Sequence, residues 1–594
     1  MGVTPLEELK RRAWYKHYPE EIRQQIDSFQ FPEMAVYRML ESSAKYFPHS
    51  TAIVYEPENL VLSFQELLVL SEKFASGLQD NFNVKKGDRI AIYARNYPEF
   101  LIAVSSIELS GATYVACNPM LIREELEYQL RDAGARLVIG SDDMVPVLKQ
   151  VMDGKNTPLK KVIIFERDKE LKPTLLIGNG RQRDPEFTAF SDLFSDEPFT
   201  RPEIDPKTDL AAIMYTSGTT GHPKGVMMSH YNVVSSAIMY QCAFTGTFPE
   251  IDEDGYVKCK NHGRDLTKEW EYPMRYGVDS VLAIPPWTHV MGYLCHLQSS
   301  MLAAITLYPM PAFNVENMLE LVRKWKITYA GGAPQMMVML LSLSETDQGA
   351  LYPLRAWGAG GAPVSTALAE EFSNLISSGI ITEGYGATEA TGTSAKHFNK
   401  RTVNKKRYGS IGPPLPFIDM KVVDIATGEH ELPVGEEGEL IHNGPAVTLG
   451  YLNKPEETEK SYRDGWLYTG DLAVMDKDGF FYITGRLKEL IIYKGFNIAP
   501  IMLEDILYQH AAVRECAVVG KKDEIGGEIP VAFIAPKAGS QATGEEIMAF
   551  VNSKVAPYKK LRGVHFVDKI PTLSSGKTAR RELAKMLLGK EHSV

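Results

Sequence analysis

One short loop combines the residue types that bind phosphate groups. Residues 215–225 read YTSGTTGHPKG and continue an apolar run, AAIMY, that is typical of a buried strand. Glycines allow backbone N–H groups to converge on phosphate oxygens, and hydroxyl side chains add further donors. Lys224 adds a positive charge. The loop is therefore a candidate phosphate site, although it differs from the Walker pattern GxxxxGK[ST].

Other charged residues lie in short glycine-containing blocks further along the chain. Residues 383–389 read EGYGATE, residues 468–471 read YTGD, and residues 573–580 read LSSGKTAR. Carboxylates can bind Mg²⁺ or accept hydrogen bonds from hydroxyl groups, and a lysine can offset phosphate charge. Each block on its own is also typical of an exposed turn, so the chemistry depends on the blocks meeting in space.

Length and composition indicate a globular protein of two or more domains. The chain has 594 residues, of which 44% are hydrophobic and 23% are charged. These values exclude a disordered, collagen-like or coiled-coil chain. With 64 lysines and arginines against 75 aspartates and glutamates, the net charge of −11 argues against a broad nucleic-acid-binding face.

Several features favour a cytoplasmic protein without an integral membrane segment. The five cysteines form no CxxC pair, which indicates free thiols in a reducing compartment. The first twenty residues lack the apolar core of a signal peptide. No apolar stretch approaches the roughly 18 residues that a membrane-spanning helix needs.

Strand-like runs alternate with helix-like segments through the first four hundred residues, which predicts an α/β fold. We expect a large N-terminal domain, residues 1–485, of doubly wound and largely parallel sheets. From about residue 408 to 485, short strands between turn signals predict a β-rich subdomain. Residues 486–594 mix helix-like and strand-like segments, which predicts a small α+β domain. The charged, turn-rich segment 245–279 predicts a surface excursion.

Seven blocks together resemble the signature motifs of one enzyme superfamily. They are YTSGTTGHPKG, PWTHVMG, GAGGAP, EGYGATE, YTGD, GRLKELIIYKGFNIAP and LSSGKTAR, in that order over residues 45–585. The chain thus resembles the AMP-forming adenylate-forming superfamily, which includes acyl-CoA synthetases, amino-acid adenylation domains and luciferases. The best match within it is an acyl-CoA synthetase for medium- or long-chain fatty acids.

The resemblance implies chemistry with ATP and assigns site residues. Those expected to contact ATP or AMP are Thr216, Ser217, Gly218, Thr219, Thr220, Gly221, Lys224, Gly360, Gly361, Ala362, Glu383, Gly384, Tyr385, Thr388, Asp471 and Arg486. Those expected to act in catalysis are Lys577, His289, Thr388 and Glu389. Thr216 and Glu389 match the positions associated with Mg²⁺.

The implied roles differ from the ordinary structural roles of the same residues. Lys577 would bridge the substrate carboxylate and the α-phosphate, whereas an isolated SGKT more often starts a helix. His289 would lie near the substrate carboxylate, whereas a lone histidine after a strand is usually a core residue. Asp471 would accept from both ribose hydroxyls and Arg486 would add a contact. Tyr385 would face adenine.

The resemblance also implies a hinge and a substrate channel. Lys488 stands at the hinge position, about which the C-terminal domain rotates between the two half-reactions. Gly495 would leave room for pantetheine, and Trp287, Gly331 and Gly386 would line the acyl and CoA channel, with core packing as the alternative. Relatives that activate acetate carry tryptophan at position 386, so a longer aliphatic or aryl acid is expected.

Coenzyme A is the expected acceptor, because the chain ends soon after the lysine motif without room for a carrier domain. A basic cluster could contact CoA phosphates, with a solvated loop as the alternative: Lys396, Lys400, Arg401, Lys405, Lys406 and Arg407. A ligase that loads a separate carrier protein and a catalytically inactive nucleotide-binding scaffold stay open. A homodimer is compatible with the sequence.

Overall fold

A computed structural model gives the fold. It describes residues 3–154, 157–165, 186–216, 223–261, 265, 272–360, 364, 366–377, 379–398, 407–494, 496–523, 527–572 and 578–589. The chain divides into two compact units. The first contains Met1–Gly360, Thr366–Asp419 and Asn443–Leu467, and the second contains Met420–His442 and Tyr468–Val594.

A seven-stranded sheet carries the phosphate-loop sequence at one edge. In spatial order its strands are Thr188–Ala189, Lys161–Phe165, Leu137–Ser141, Arg89–Tyr93, Thr113–Cys117, Leu210–Tyr215 and Gly225–Ser229. Neighbouring strands are parallel except for the last pair. Buried Val, Ile and Ala side chains of these strands pack against Leu126 and Leu130 of the helix Arg123–Ala133, as expected for a covered parallel sheet.

An eight-stranded sheet carries most of the other predicted motifs of the first unit. In spatial order its strands are Gly392–Lys396, Ile380–Ala387, Ala356–Ala359, Tyr329–Gly332, Ser280–Ala283, Thr306–Pro309, Thr51–Tyr55 and Leu60–Ser63. Only the pairs at the two edges are antiparallel. The carboxyl ends of the central parallel strands therefore meet at one edge of the sheet, where ligands bind in open α/β folds.

Helices alternate with these strands. The longer helices of the first unit are Tyr37–Tyr46, Phe64–Phe82, Pro98–Leu109, Arg123–Ala133, Val145–Met152, His230–Thr245, Val315–Trp325, Pro334–Leu341 and Thr366–Ser373. A π-helical segment, Met291–Gln298, runs into the helix Ser299–Ala303. Ser229 ends its strand and caps the next helix, since its hydroxyl accepts from the Asn232 amide at 3.2 Å.

Two smaller sheets account for the C-terminal third. The first has the order Asp419–Val423, Glu437–Asn443, Trp466–Met475 and Tyr462–Arg463, with Phe481–Arg486 also paired to Trp466–Met475. The second has the order Phe496–Ile498, Ile491–Tyr493, Gly527–Pro536 and Val513–Asp523, with Gly563–Phe566 also paired to Gly527–Pro536. The helices packed with the second sheet are Pro500–Tyr508, Gly544–Asn552 and Arg580–Gly589.

The predicted α/β class, with largely parallel N-terminal sheets and a smaller C-terminal α+β part, is confirmed. The strand Lys161–Phe165 and the helix Pro98–Leu109 are examples of the predicted alternation. Strands in the β-rich part are longer than their apolar runs indicate. Trp466–Met475, for example, continues through the YTGD block because Phe481–Arg486 pairs along it.

The prediction of a surface excursion at residues 245–279 is wrong for its two ends. Phe248, Tyr272 and Tyr276 are all buried. The Tyr276 hydroxyl donates to the Thr247 carbonyl at 3.1 Å, so the ends pack on each other. The described middle part, around the short hairpin Glu250–Ile251 and Val257–Lys258, has exposed residues as expected, and so has Val278 near the second end. The sequence did not predict this packing, because the buried aromatic residues alternate with charged residues that are typical of a surface.

All five cysteines are buried free thiols. In the part of the chain covered by the structure, no helix combines the length and apolar character that a bilayer crossing requires.

A buried carboxyl group joins the helix Pro98–Leu109 to the π-helical segment. Glu108 accepts hydrogen bonds from the Tyr293 hydroxyl at 3.0 Å and from the Gln298 amide at 2.6 Å. Burial raises the pKa of Glu108 from 4.5 to about 8, against the smaller opposite effect of these two donors. The carboxyl group is therefore protonated in the folded protein at neutral pH, whereas it is ionised in the unfolded chain.

We predict that Glu108 makes folding less favourable as pH rises from about 4.5 to 8, because only the folded state holds its proton there. Glu108→Gln keeps a neutral partner for both donors and removes this titration. Between pH 5.5 and 8 the wild type should lose on the order of 2 kcal/mol more unfolding free energy than the variant. Urea unfolding at both pH values measures this difference. Exposed Glu124 provides the control, Glu124→Gln, and equal pH dependence of E108Q and wild type contradicts the prediction.

Candidate active site

The two ends of the phosphate loop are held together. Tyr215 pairs with Gly225 across the antiparallel strands, and the Thr216 amide donates to the Lys224 carbonyl at 3.0 Å. The Tyr215 hydroxyl also donates to the Asp132 carboxylate at 2.9 Å. The remaining predicted loop contacts lie outside the described residues: Ser217, Gly218, Thr219, Thr220 and Gly221. The residues on either side of the loop are thus hydrogen-bonded to each other and, through Tyr215, to Asp132; we call them the phosphate-loop base.

Tyr451 connects two of the predicted site residues. Its hydroxyl donates to Glu389 Oε1 at 2.8 Å, and Lys224 Nζ lies 4.4 Å from the centre of its ring. Burial, followed by the charge of Glu389, holds the pKa of Tyr451 well above its usual range. The phenol therefore stays a hydrogen-bond donor, and the ring attracts the ammonium group by a cation–π contact. A carboxylate that can bind a metal ion and an ammonium group that can bind phosphate are thereby both held against Tyr451.

Backbone hydrogen bonds place Tyr451 at this point. The Met227 amide donates to the Gly450 carbonyl at 3.0 Å, and the Leu452 amide donates to the Gly225 carbonyl at 2.7 Å. The segment around Tyr451 therefore runs beside the strand that leaves the phosphate loop. The Thr448 amide and hydroxyl both donate to the Glu389 carbonyl at 3.0 Å. Sequence analysis missed Tyr451, because it lies in an irregular segment 62 residues after Glu389.

The EGYGATE block forms the end of the strand Ile380–Ala387 and the short 3₁₀ turn Thr388–Ala390. Glu383 is buried, and its carboxyl accepts from the Gly409 amide at 3.1 Å. Burial raises the pKa of Glu383 to about 8. Gly384, Tyr385 and Thr388 are half-buried, so they remain accessible as the nucleotide-binding prediction requires. In the structure Glu383 contacts the backbone of Gly409, which lies beyond the edge strand Gly392–Lys396 in the chain.

His289 is half-buried at the start of the π-helical segment Met291–Gln298. Its Nδ1 accepts from the Met291 amide at 3.3 Å, so in the neutral ring the hydrogen is on Nε2. The His289 carbonyl accepts from the Tyr293 amide at 2.9 Å. These contacts fix the ring as a donor through Nε2. Insertions of π-helix in proteins are frequent at functional sites, which agrees with the prediction for His289.

Trp287 is fully buried in a core of aromatic side chains. Its ring packs edge-on against Phe100 with 5.5 Å between ring centres, and its carbonyl accepts from the Tyr114 hydroxyl at 3.2 Å. Its amide donates to Asn96 Oδ1 at 2.8 Å. The described contacts of Trp287 are thus those of the alternative that the sequence left open, core packing.

Two glycines predicted to line the channel are also required by close backbone contacts. A Cβ at Gly386 would lie 1.9 Å from the Gly392 carbonyl oxygen, where the strand pairing is irregular. A Cβ at Gly331 would lie 2.7 Å from the Gly358 carbonyl oxygen. A side chain at either position needs the backbone to shift. Gly360 has only ordinary contacts, the nearest being Met291 Cε at 3.7 Å from its Cβ position, while Gly361 and Ala362 lie outside the described residues.

The predicted ribose residues meet in the second unit. Asp471 and Arg486 are opposite each other on paired strands, and Arg486 Nε lies 2.7 Å from Asp471 Oδ1. The Asp471 amide donates to the Thr469 hydroxyl at 3.1 Å. Asp471 is buried and Arg486 is partly exposed. A carboxylate in this position offers oxygen acceptors for hydroxyl hydrogen bonds.

Arg580 ties the end of the lysine motif to the predicted hinge segment. Its guanidinium Nε donates to Glu489 at 3.0 Å, and Nη2 donates to Glu504 at 2.9 Å. Nη1 donates to the Val518 carbonyl at 2.8 Å. The exposed Lys488 is adjacent to Glu489 in the 3₁₀ turn Leu487–Glu489. Lys577 and Gly495 lie outside the described residues.

The interpretation of residues 396–407 as one exposed basic cluster is wrong for Lys396. This side chain is buried, with its ammonium 4.3 Å from the centre of the Phe244 ring. The strand Gly392–Lys396 carries it into the sheet, which the charge pattern alone does not reveal. Arg407 is half-buried, and Lys400, Arg401, Lys405 and Lys406 lie outside the described residues.

Comparison with known proteins agrees with this arrangement. The AMP-binding enzyme family matches residues 40–452, which is well over half of the chain. The chain belongs to the family of AMP-binding enzymes. The C-terminal domain of AMP-binding enzymes matches residues 502–577. The predicted superfamily and the predicted enzyme class are therefore confirmed.

Named relatives of this AMP-binding enzyme are CoA ligases. It is 33% identical to a long-chain-fatty-acid–CoA ligase of Bacillus subtilis, over 96% of this chain and 98% of the relative. It is also 33% identical to 4-coumarate–CoA ligase 5 of Oryza sativa subsp. japonica, over 89% and 90%. The anthranilate CoA ligase AuaEII with anthranoyl-AMP has the same fold, with TM-score 0.79 and 22% identity over 95% of this chain and 99% of that one.

We predict that Asp471→Asn weakens AMP binding by the enzyme about tenfold, because an amide loses the charge that strengthens hydrogen bonds from ribose hydroxyls. Titration calorimetry with AMP measures the dissociation constant. Asp476→Asn is a matched control, since Asp476 accepts backbone hydrogen bonds in the turn of the same hairpin. Unchanged AMP affinity in D471N would show that Asp471 is only a partner of Arg486.

Proposed function

We propose that this enzyme joins a carboxylic acid to coenzyme A in two steps that consume ATP. In the first step a carboxylate oxygen attacks the α-phosphorus, and the bond to pyrophosphate breaks to give an acyl-adenylate. In the second step the thiol of CoA attacks the acyl carbon, loses its proton, and AMP leaves. The observation that carries the proposal is the grouping of Lys224, Tyr451 and Glu389 beside the phosphate-loop base.

Charge is the main obstacle in the first step. Two like charges about 4 Å apart repel by about 4 kcal/mol at an effective dielectric constant near 20. Uncompensated, that repulsion slows a reaction about a thousandfold. We propose that Lys577 bridges the two anions and that Lys224 and Thr388 contact the phosphates. His289, with its Nε2 hydrogen, would donate to the substrate carboxylate.

Thr216 and Glu389 are proposed to hold Mg²⁺. A hydroxyl and a carboxylate are the hard oxygen donors that Mg²⁺ prefers, and one or two such protein ligands suffice when phosphates supply others. Both residues are half-buried, and Tyr451 fixes the Glu389 carboxylate. When bound, the ion would reduce the negative charge on the phosphates.

The proposed acid is a medium- or long-chain aliphatic acid or an aryl acid. The named activities of the Bacillus subtilis and Oryza sativa relatives, on long-chain fatty acids and on 4-coumarate, support this range. We further propose a domain boundary near residue 485, rotation about Lys488, and a CoA channel past Gly495. A cytoplasmic location and a homodimer also stay proposals.

We predict acid-dependent release of pyrophosphate by the wild type across a panel of aliphatic and aryl acids, followed by CoA-dependent release of AMP. Lys577→Ala should lower the rate of pyrophosphate release about a thousandfold, because the positive charge between the substrate carboxylate and the α-phosphate is lost. AMP affinity should be unchanged in this variant. Lys569→Ala, at an exposed position of the same domain, is the control and should act like wild type.

The same assays decide between the alternative functions. Acyl-adenylate that forms normally but transfers only to a purified carrier protein, and not to free CoA, would support the carrier-loading ligase. ATP binding without pyrophosphate release from any acid, in wild type and variant alike, would support the inactive scaffold.

We predict that Glu389→Gln raises the Mg²⁺ concentration needed for half-maximal pyrophosphate release about tenfold, because the neutral amide is a weaker ligand. The Tyr451 hydroxyl can still donate to the amide oxygen, so the change tests charge more than structure. The exposed Glu459 provides the control, Glu459→Gln. An unchanged Mg²⁺ requirement in E389Q would remove Glu389 from the metal site.

A further inference from the structure

Lys396 is a buried lysine for which the described part of the chain provides no carboxylate partner. Only 4% of the residue is exposed. Its ammonium lies 4.3 Å from the centre of the Phe244 ring and 5.2 Å from that of Tyr240. No carboxylate within the described part of the chain lies within ion-pair distance of Lys396. A lysine is rarely buried this deeply without a counter-ion, so the side chain needs an explanation.

Burial weakens the binding of a proton by the Lys396 amine. Burial lowers the pKa of Lys396 to about 7, and the nearby Cys295 thiol opposes this shift only weakly. The amine is thus partly neutral at physiological pH in the free protein. A ligand that brings a negative charge would favour the protonated form and gain an ion pair in a water-poor environment.

A buried histidine with unused hydrogen-bonding capacity lies near Lys396, together with phenol and thiol groups that are hydrogen-bonded to neighbours. His296 is fully buried, and both of its ring nitrogens lack a partner within the described structure. Its ring centre lies 6.1 Å from that of Tyr329, whose hydroxyl is 3.5 Å from the hydroxyl of Tyr240. Cys295 Sγ lies 3.3 Å from the Thr393 hydroxyl. Because buried polar atoms are usually paired, the His296 ring without a hydrogen-bond partner near the buried Lys396 side chain indicates a polar ligand.

This polar group is adjacent to the proposed acid-binding elements. Lys396 is opposite Gly384 in the register of the two edge strands, beside the EGYGATE block. Tyr329 begins the strand Tyr329–Gly332, which contains a proposed channel glycine. His296 belongs to the π-helical segment that starts two residues after His289. The polar group therefore lies among residues that also belong to the proposed acyl pocket.

We propose that Lys396, with His296 and the Tyr240 and Tyr329 hydroxyls, binds a second carboxylate at the far end of the acid substrate. The preferred acids would then be dicarboxylic acids, and the carboxylate that is not activated would pair with the ammonium group. The imidazole N–H and the two phenols would donate to its oxygens. This inference rests on the proposed function, because it identifies the substrate class of the same site.

A purely hydrocarbon tail fits the same place less well. Such a tail would remove the remaining water from Lys396 without providing a partner, which costs free energy. The alternative role for Lys396 is structural, with the ammonium held by cation–π contacts to Phe244 and Tyr240. The structural role predicts the same effect of a substitution on every acid, whereas carboxylate binding predicts opposite effects on two acid classes.

The test compares acids of equal length with one and two carboxylates. Acid-dependent pyrophosphate release is measured for the wild type with straight-chain monocarboxylic and α,ω-dicarboxylic acids from four to twelve carbons, and with benzoate against terephthalate. At one or more lengths the dicarboxylate should have at least tenfold higher kcat/KM than its monocarboxylate. Monocarboxylates preferred at every length would overturn the inference and leave the proposed function intact.

Two variants then test whether Lys396 and His296 cause the preference for dicarboxylates. Lys396→Met keeps most of the length and the apolar part of the side chain. It should lower kcat/KM for the preferred dicarboxylate about a hundredfold, because the charge that binds the second carboxylate is lost. For the matched monocarboxylate, kcat/KM should stay the same or rise. Lys161→Met, at an exposed strand end, is the control. An equal loss for both acid classes in K396M would overturn the inference in favour of the structural role. If K396M does not fold, His296→Asn should still reduce the dicarboxylate preference, and an unreduced preference overturns the inference.

Failure of the proposed function gives a different result. Pyrophosphate release from no acid at all, by a wild type that binds ATP, overturns the proposed function and the inference together. Release from monocarboxylates alone overturns only the inference.

Discussion

The candidate phosphate site depends on one phenol that contacts two opposite charges. The Tyr451 hydroxyl donates to Glu389, and its ring lies next to the Lys224 ammonium. Because burial and the Glu389 charge both raise the pKa of this phenol, it stays protonated, and the contact persists over the physiological pH range. A carboxylate suited to a metal ion and an ammonium group suited to phosphates thus lie close together, each in contact with Tyr451.

The sheets bring these residues together from distant parts of the sequence. Lys224 directly precedes the edge strand Gly225–Ser229 of one sheet, and Glu389 follows the strand Ile380–Ala387 of the other. The segment with Tyr451 hydrogen-bonds to the edge strand and, through Thr448, to the Glu389 carbonyl. Parallel strands place their carboxyl ends on a common edge, so residues after separate strands can converge without any local signal.

The sequence was sufficient for the α/β class and for most strand positions, because each depends on the local pattern of apolar residues. It was insufficient for Tyr451, whose role arises from a contact across 62 residues. It was misleading for Lys396, because a charged residue within a basic run predicts exposure, whereas strand pairing buries this one. Long-range packing determines both cases, and one sequence carries no direct record of it.

The Arg580 contacts have a mechanical consequence. One guanidinium joins Glu489, the helix Pro500–Tyr508 through Glu504, and the strand Val513–Asp523 through the Val518 carbonyl. A rotation about Lys488 would therefore move the start of the terminal helix together with the hinge segment, because Arg580 connects the two. Movement of one relative to the other would break the partly buried ion pair between Arg580 and Glu489, which costs free energy.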